Sequence, residues 1–275
     1  MSFTHFESGW EKQPPVGTAL DNPLNLAARD LVFCATVNRG YPYDEAHTIQ
    51  ALDLNGAGTI EACEHGICLE AAGGTAGGAT FTHIADYDGF TEFNVYALAK
   101  NRQTSTTIDQ FLVGKFGGGD DPFGVHWNAG EDVQCGVSVG GTPQVDFLVD
   151  GLDDGTVGYD ARLWNAIGNK WDGVTISARA NDLIGPGVAQ SGTMDVNASQ
   201  DLVVGDSQQG ASINWDGWIA LLLIYKRVLS DPEWNLVRSN PWQAYEPDVI
   251  PVFQVAAAAA GIFLPASHSS SMVRV

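Results

Sequence analysis

The sequence predicts an all-β chain, an antiparallel sandwich with one short C-terminal helix and extended terminal arms. Three observations predict it. Glycine supplies 32 of the 275 residues, well above the usual share of about 7%, which requires many turns and few long helices. Short stretches such as 174–179 (VTISAR) alternate apolar and polar residues, as half-buried antiparallel strands do. The run from Trp218 to Tyr225 (WIALLLIY) is almost unbroken and of strand length, the pattern of a strand covered on both faces.

That run meets a stop. Lys226 and Arg227 bring the chain into water, and SDPE at 230–233 is a capping box, in which a Ser hydroxyl and a Glu carboxylate satisfy first-turn amides. Leu229 and Trp234 stand at hydrophobic-staple positions, Pro232 suits a first turn, and Asn240 followed by Pro241 ends the helix, predicted over 230–240.

Upstream, residues 1–45 are broken by Pro14, Pro15, Pro23 and Pro42 and read as an arm whose one strand-forming piece is LNLAARDLVFCATV at 24–37. The sandwich occupies 46–242. Between Thr48 and Thr82 short strands alternate with turns at Asp53–Asn55–Gly56 and at the glycine-rich 73–78. In 89–100, Phe90, Phe93, Val95 and Ala97 form an inward face; in 169–182 one strand starts at Trp171, with Val174, Ile176 and Ala178 inward and Thr175, Ser177 and Arg179 outward. Residues 243–275 form a small-residue-rich extension, expected to serve assembly. Its uncharged part, 249–264, is too short and too interrupted by Pro251, Gln254 and Gly261 to cross a membrane.

Charge excludes some partners. Thirteen basic against 33 acidic residues give a formal net charge of −20, which repels nucleic acid and anionic membranes. The same acidity suits solubility at high copy number, cation binding or a salty environment. The N-terminus has no basic region followed by an apolar one, so synthesis in a cytoplasm is expected. Four cysteines do not make a disulfide scaffold. CEHGIC at 63–68 is the one close pair, readable as a local disulfide or as half of a metal site.

The closing pattern GWIALLLIYKRVLSDPE at 217–233 resembles the last strand and helix of laminin G-like domains, in the concanavalin A-like lectin/glucanase superfamily. The stretches at 89–100, 111–139 (FLVGKFGGGDDPFGVHWNAGEDVQCGVSV), 169–182 and 202–205 (LVVG) follow the strand order of that family. The family's YVDG strand has no clear counterpart; FLVDG at 147–151 is out of place. The leading segment 13–31 and SNPWQAYEP at 239–247 are similar to the version found in bacteriophage structural proteins. The resemblance implies a concanavalin A-like jelly roll, an arm returning as an edge strand, and Ca²⁺ on the sandwich rim.

For chemistry, the E-x-D-x-E run of glycanases is missing, as are Gly-x-Ser-x-Gly, HExxH and phosphate-loop patterns. Asp146 and Asp150 read as strand-end and turn carboxylates, and His126 as a packing histidine. No enzyme is expected. Glycan binding needs an aromatic face for the sugar ring and polar groups for its hydroxyls. Trp127 with Asn128, and Trp164 with Asn165, beside Asp120 and Asp121, are the candidate clusters, with core or inter-subunit packing as the alternative for both tryptophans. Asp150, Asp153 and Asp154 in DGLDDG offer oxygen ligands for Ca²⁺, with solvated turns as the alternative. The expected function is a non-enzymatic bacteriophage virion protein, a fibre, spike or decoration subunit. It docks on other virion proteins through its arms, assembles as a homo-oligomer, here taken as a trimer, and binds host-surface polysaccharide. A soluble carbohydrate-binding module and a glycan depolymerase are the alternatives.

Overall fold

The computed structural model describes residues 28–37, 41–56, 58–71, 77–103, 109–115, 121–128, 132–148, 160, 162–207 and 214–242. The first third holds β1 (Leu31–Thr36), β2 (Tyr43–Asp44), β3 (Ile49–Gln50), β4 (Asp53–Gly56), β5 (Thr59–Cys63), β6 (Gly66–Ala71) and β7 (Gly77–Phe81). The middle holds β8 (Phe93–Asn101), β9 (Gln110–Lys115), β10 (Phe123–Trp127), β11 (Val133–Val139) and β12 (Thr142–Leu148). Then come β13 (Asn165–Trp171), β14 (Thr175–Ala180), β15 (Leu183–Ile184), β16 (Val188–Ala189), β17 (Leu202–Val204), β18 (Gly217–Tyr225) and the helix α1 (Asp231–Ser239).

Among the described residues these strands form two antiparallel sheets. The larger runs β15-β14-β13-β8-β18-β1-β2-β3, with β16 on β14 and the β5–β6 hairpin on β18; the smaller runs β12-β11-β10-β9-β17-β7-β4. The chain is thus an all-β sandwich with one short helix. The apolar run read from the sequence is β18, paired with β8 on one side and with β1 and β6 in succession on the other. An irregularity between Ile219 and Leu221 shifts its alternation. Ile219, Leu222 and Ile224 enter the core between the sheets, while Leu221, Leu223 and Tyr225 face outward.

The outward face is half of the reason the helix exists. A nine-residue helix is too short to be stable alone in water, so packing must hold it. The Ser230 amide donates to Glu233 Oε2 at 2.8 Å, closing the expected capping box, and Leu229 and Trp234 are fully buried. Trp234 lies between Tyr96, with ring centroids 5.2 Å apart, and the Arg179 guanidinium 4.5 Å above its ring. Its Nε1 donates to the Asn181 carbonyl at 2.8 Å. Gly168 makes the room: a Cβ there would stand 1.9 Å from the Val95 carbonyl oxygen and 3.3 Å from the Trp234 ring.

Several local expectations give way to pairing. Trp171 ends β13 instead of starting a strand, and Val174, 57% exposed, sits in the turn before β14. Ile176 and Ala178 do face the core, but Ser177 and Arg179 are buried on the other face, which the sequence pattern assigned to water. Asp53 to Gly56 is the strand β4, hydrogen-bonded along β7, and Gly77 and Gly78 belong to β7; ladder bonds override the turn preference of Asp, Asn and Gly. Strand β1 within 1–45 has β18 on one side and β2 laid along its Ala35–Thr36 end, so that end is not an edge. LVVG at 202–205 supplies β17 between β9 and β7. The sheets include β1 and β2, which lie ahead of residue 46; residues 1–27 and 243–275 lie outside the described residues.

Candidate functional site

Residues directly opposite on paired antiparallel strands share a face. On the outer face of the larger sheet, at the end not covered by α1, one such row runs Lys100 (β8), Trp218 (β18), Glu70 (β6), Thr59 (β5). Asn165 of β13 pairs with Ala99, which sets Trp164 on the far side of Lys100. A lysine is thereby flanked by two tryptophans drawn from strands far apart in sequence. Both indoles are half-buried and pack at their inner edges on the outer apolar cluster.

Backbone geometry holds the row in place. Gly217 has φ +159, and a Cβ there would meet the Lys100 carbonyl oxygen at 2.1 Å, so only glycine lets β18 begin this close to β8. The Arg102 amide donates to the Asp216 carbonyl at 2.7 Å, and the Asp216 amide to Gln110 Oε1 at 3.0 Å, which aims both side chains at the row. Cys63 and Cys68 form a disulfide beside the turn of the β5–β6 hairpin, joining the last residue of β5 to the middle of β6. That settles the reading of CEHGIC and places His65 edge-on against Trp164, with centroids 4.7 Å apart.

The polar groups converge on Trp218. Its Nε1 donates to Glu61 Oε2 at 3.1 Å, the Arg102 guanidinium lies 4.7 Å and Lys100 Nζ 5.8 Å from its ring centroid. Arg102 donates to Asp216 Oδ1 at 2.6 Å and to Glu70. Gln103 donates to the other Asp216 oxygen at 2.6 Å. The Thr59 hydroxyl donates to Glu70 Oε2 at 2.5 Å, and that bond, helped by Arg102, holds the Glu70 carboxyl below the usual range. Lys100 has a looser partner, Glu64 Oε1 at 3.8 Å. A half-buried Trp218 ringed by carboxylate acceptors and cationic donors, with Trp164 beside His65 on the far side of Lys100, makes a platform for a polyhydroxylated ring: apolar contact from the aromatic, hydrogen bonds from the rim.

The residues singled out from the sequence fall on different sides of the molecule. Trp127 is 1% exposed and part of the core between the sheets, so its ring offers no face to a sugar; the alternation of β10 turns it inward with Phe123 and Val125. Asn128 closes a turn, its amide donating to the Asp132 carbonyl at 3.0 Å and its Oδ1 accepting the Asp132 amide at 3.0 Å. Asp121 is half-buried before β10. Trp164 stands in the row just described. Asn165 is buried and donates to the Asp160 and Leu163 carbonyls at 2.7 and 2.8 Å, so it fixes the approach of Trp164. Asp120, Asp150, Asp153 and Asp154 lie outside the described residues, and with them the expected calcium loop. Among the described residues no three His, Cys, Asp or Glu side chains gather as metal ligands.

Asp146, 1% exposed, accepts the Ala178 amide at 2.9 Å and so ties the smaller sheet to the edge of the larger; burial pushes its carboxyl up. His126 stacks on Phe111 with centroids 4.8 Å apart, a packing position. Two further polar clusters are interior braces. Lys115, its side chain fully buried, donates to Asp88 and to the Asn197 carbonyl at 2.8 Å and sits 2.8 Å from His83 Nδ1. Asp44, also buried, takes the Cys34 amide, the Tyr87 hydroxyl and His47.

No family model matches the chain, and no curated protein matches it. Its fold is similar to clostridial toxin binding domains. The binding domain of Paraclostridial Mosquitocidal Protein 1 aligns with a TM-score of 0.60 at 12% identity, covering 77% of this chain and 52% of that one. The binding domain of botulinum neurotoxin serotype G aligns at 0.59 and 10% identity, over 75% of this chain and 50% of that one. The binding domain of botulinum neurotoxin DC in complex with SialylT aligns at 0.60 and 12% identity, over 78% and 52%. The chain therefore spans about half the length of those domains, and at such identities the likeness is one of fold.

Proposed function

We propose that this chain is a non-catalytic carbohydrate-binding sandwich that serves as a bacteriophage virion subunit and engages host-surface glycan through the row centred on Lys100. One observation carries the binding half: two half-buried tryptophans, Trp164 and Trp218, flank Lys100 on an outer face whose other end α1 covers. The similar solved structures named above are binding domains, one in complex with SialylT, which supports a binding role for a sandwich of this shape. The virion half is supported by the laminin G-like closing pattern and by 239–247; because β1 and β2 of the expected N-terminal arm lie within the larger sheet, docking on other virion subunits is proposed for 1–27 and 243–275.

Binding is tested by screening the full chain on a glycan array and titrating a hit by calorimetry. Trp218→Ala and Trp164→Ala are each expected to weaken binding at least about tenfold, which is roughly 1.4 kcal/mol. Unchanged affinity in both would remove this face as the site. The virion role is tested by mass spectrometry of purified particles from a host carrying the gene, where the chain is expected among the structural proteins. Absence from particles, together with a chain cut after Tyr245 that still binds glycan, would establish a soluble module instead.

A further inference from the structure

Resting on the glycan-binding reading above, we infer that the ligand of this row is a neutral, hydroxyl-rich pyranose and that carboxylate-bearing sugars, sialic and uronic acids alike, are rejected. Four carboxylates line the row, those of Glu61, Glu64, Glu70 and Asp216, against two cations, Lys100 and Arg102. Arg102 is committed. Its two terminal nitrogens go to Asp216 and Glu70, and its plane covers one side of Trp218. Lys100, 31% exposed, is the cation with a loose partner.

An anionic sugar reaching for Lys100 brings its charge up to Glu64, whose side chain is 61% exposed at 3.8 Å from the same ammonium, and toward Glu70 two strands along the row. Attraction to one cation is offset by repulsion from carboxylates a few ångströms farther away, and the chain's formal net charge of −20 adds to the repulsion. A neutral ring meets the reverse situation. Each carboxylate is acceptor-only when ionised, with about four lone-pair sites, so it takes sugar hydroxyls as donors. Lys100 supplies a donor for a ring or hydroxyl oxygen, and the C–H face of the ring lies on an indole. The Thr59 hydroxyl, with help from Glu61 and Arg102, holds the Glu70 carboxyl below its ordinary range, so this acceptor stays ionised.

Calorimetry on the full chain compares neutral oligosaccharides of glucose, galactose and N-acetylhexosamines with sialyllactose and oligogalacturonate, at low and high salt. The expected result is binding of a neutral ligand that is nearly salt-independent, with the acidic ligands at least about tenfold weaker. Glu64→Lys is expected to narrow that gap several-fold, tightening the acidic ligands by removing the carboxylate beside Lys100 and weakening the neutral ones by removing an acceptor. Tighter binding of sialyllactose or oligogalacturonate than of any neutral sugar, weakened by salt and by Lys100→Met, would overturn the ligand class and leave the site standing. Binding of neither class would overturn the glycan-binding reading itself. Neutral binding that survives Trp218→Ala and Trp164→Ala would overturn the assignment of the ligand to this row.

Discussion

His47 joins a short surface turn to a buried carboxylate, and its titration is the residue-scale feature with the clearest consequence. Its Nδ1 lies 2.8 Å from Asp44 Oδ2, and its Nε2 3.4 Å from Asp86. Asp44 has no exposed side-chain surface and also accepts the Tyr87 hydroxyl at 2.7 Å and the amides of Cys34 and Ala46. The hydrogen bond to Asp44 raises the His47 pKa above its ordinary 6.5, against the opposing effect of burial. A histidine whose folded pKa is raised stabilises the fold fully below its unfolded pKa, and the contribution is lost as pH climbs through the folded value. Urea unfolding is therefore expected to show stability falling from pH 6.5 upward, and His47→Gln to flatten that part of the profile while lowering stability at acidic pH. A profile unchanged by the substitution would place the pH dependence elsewhere.

Among elements, α1 and the β5–β6 hairpin divide the outer face of the larger sheet between them. The helix covers Tyr96, Leu223 and Tyr225; the disulfide-closed hairpin frames the open end with Glu61, Glu64, His65 and Glu70. What separates the covered end from the open one is the fit of Trp234 over Gly168. Gly168→Ala would put a methyl 1.9 Å from the Val95 carbonyl oxygen, a backbone clash that no side-chain rotation relieves. An overpacked core position costs about 1–3 kcal/mol, and the backbone contact places this one at the upper end. Chemical denaturation is expected to show that loss; an unperturbed midpoint would mean that β13 can move away from β8. The capping box at Ser230 and Glu233 was legible because it is local: its partners are three residues apart. The hairpin of Trp171 was not, since the same alternation of 169–182 fits one strand or two until the ladder to β8 fixes where β13 stops.

For the molecule as a whole, non-local pairing decides which apolar residues become core and which become surface. Strand β18 was recognisable as a twice-covered strand, yet Trp218, read as the first residue of that core run, emerges half-buried because it lies beyond the reach of α1 and beside β6. Trp127 shows the converse, a glycan candidate from the sequence that the alternation of β10 turns into the interior. Lys100, Arg102, His65, Glu61 and Glu70 were not singled out, though Lys100 and Arg102 share one face by their spacing of two. Periodicity, turn chemistry and capping, all short-range properties, determined from the sequence alone that this chain is an antiparallel sandwich closed by one capped helix. Only the tertiary structure decided where a ligand can touch it, because the row of Trp164, Lys100, Trp218 and Glu70 exists through cross-strand register among β13, β8, β18 and β6, and register joins residues that are distant along the chain.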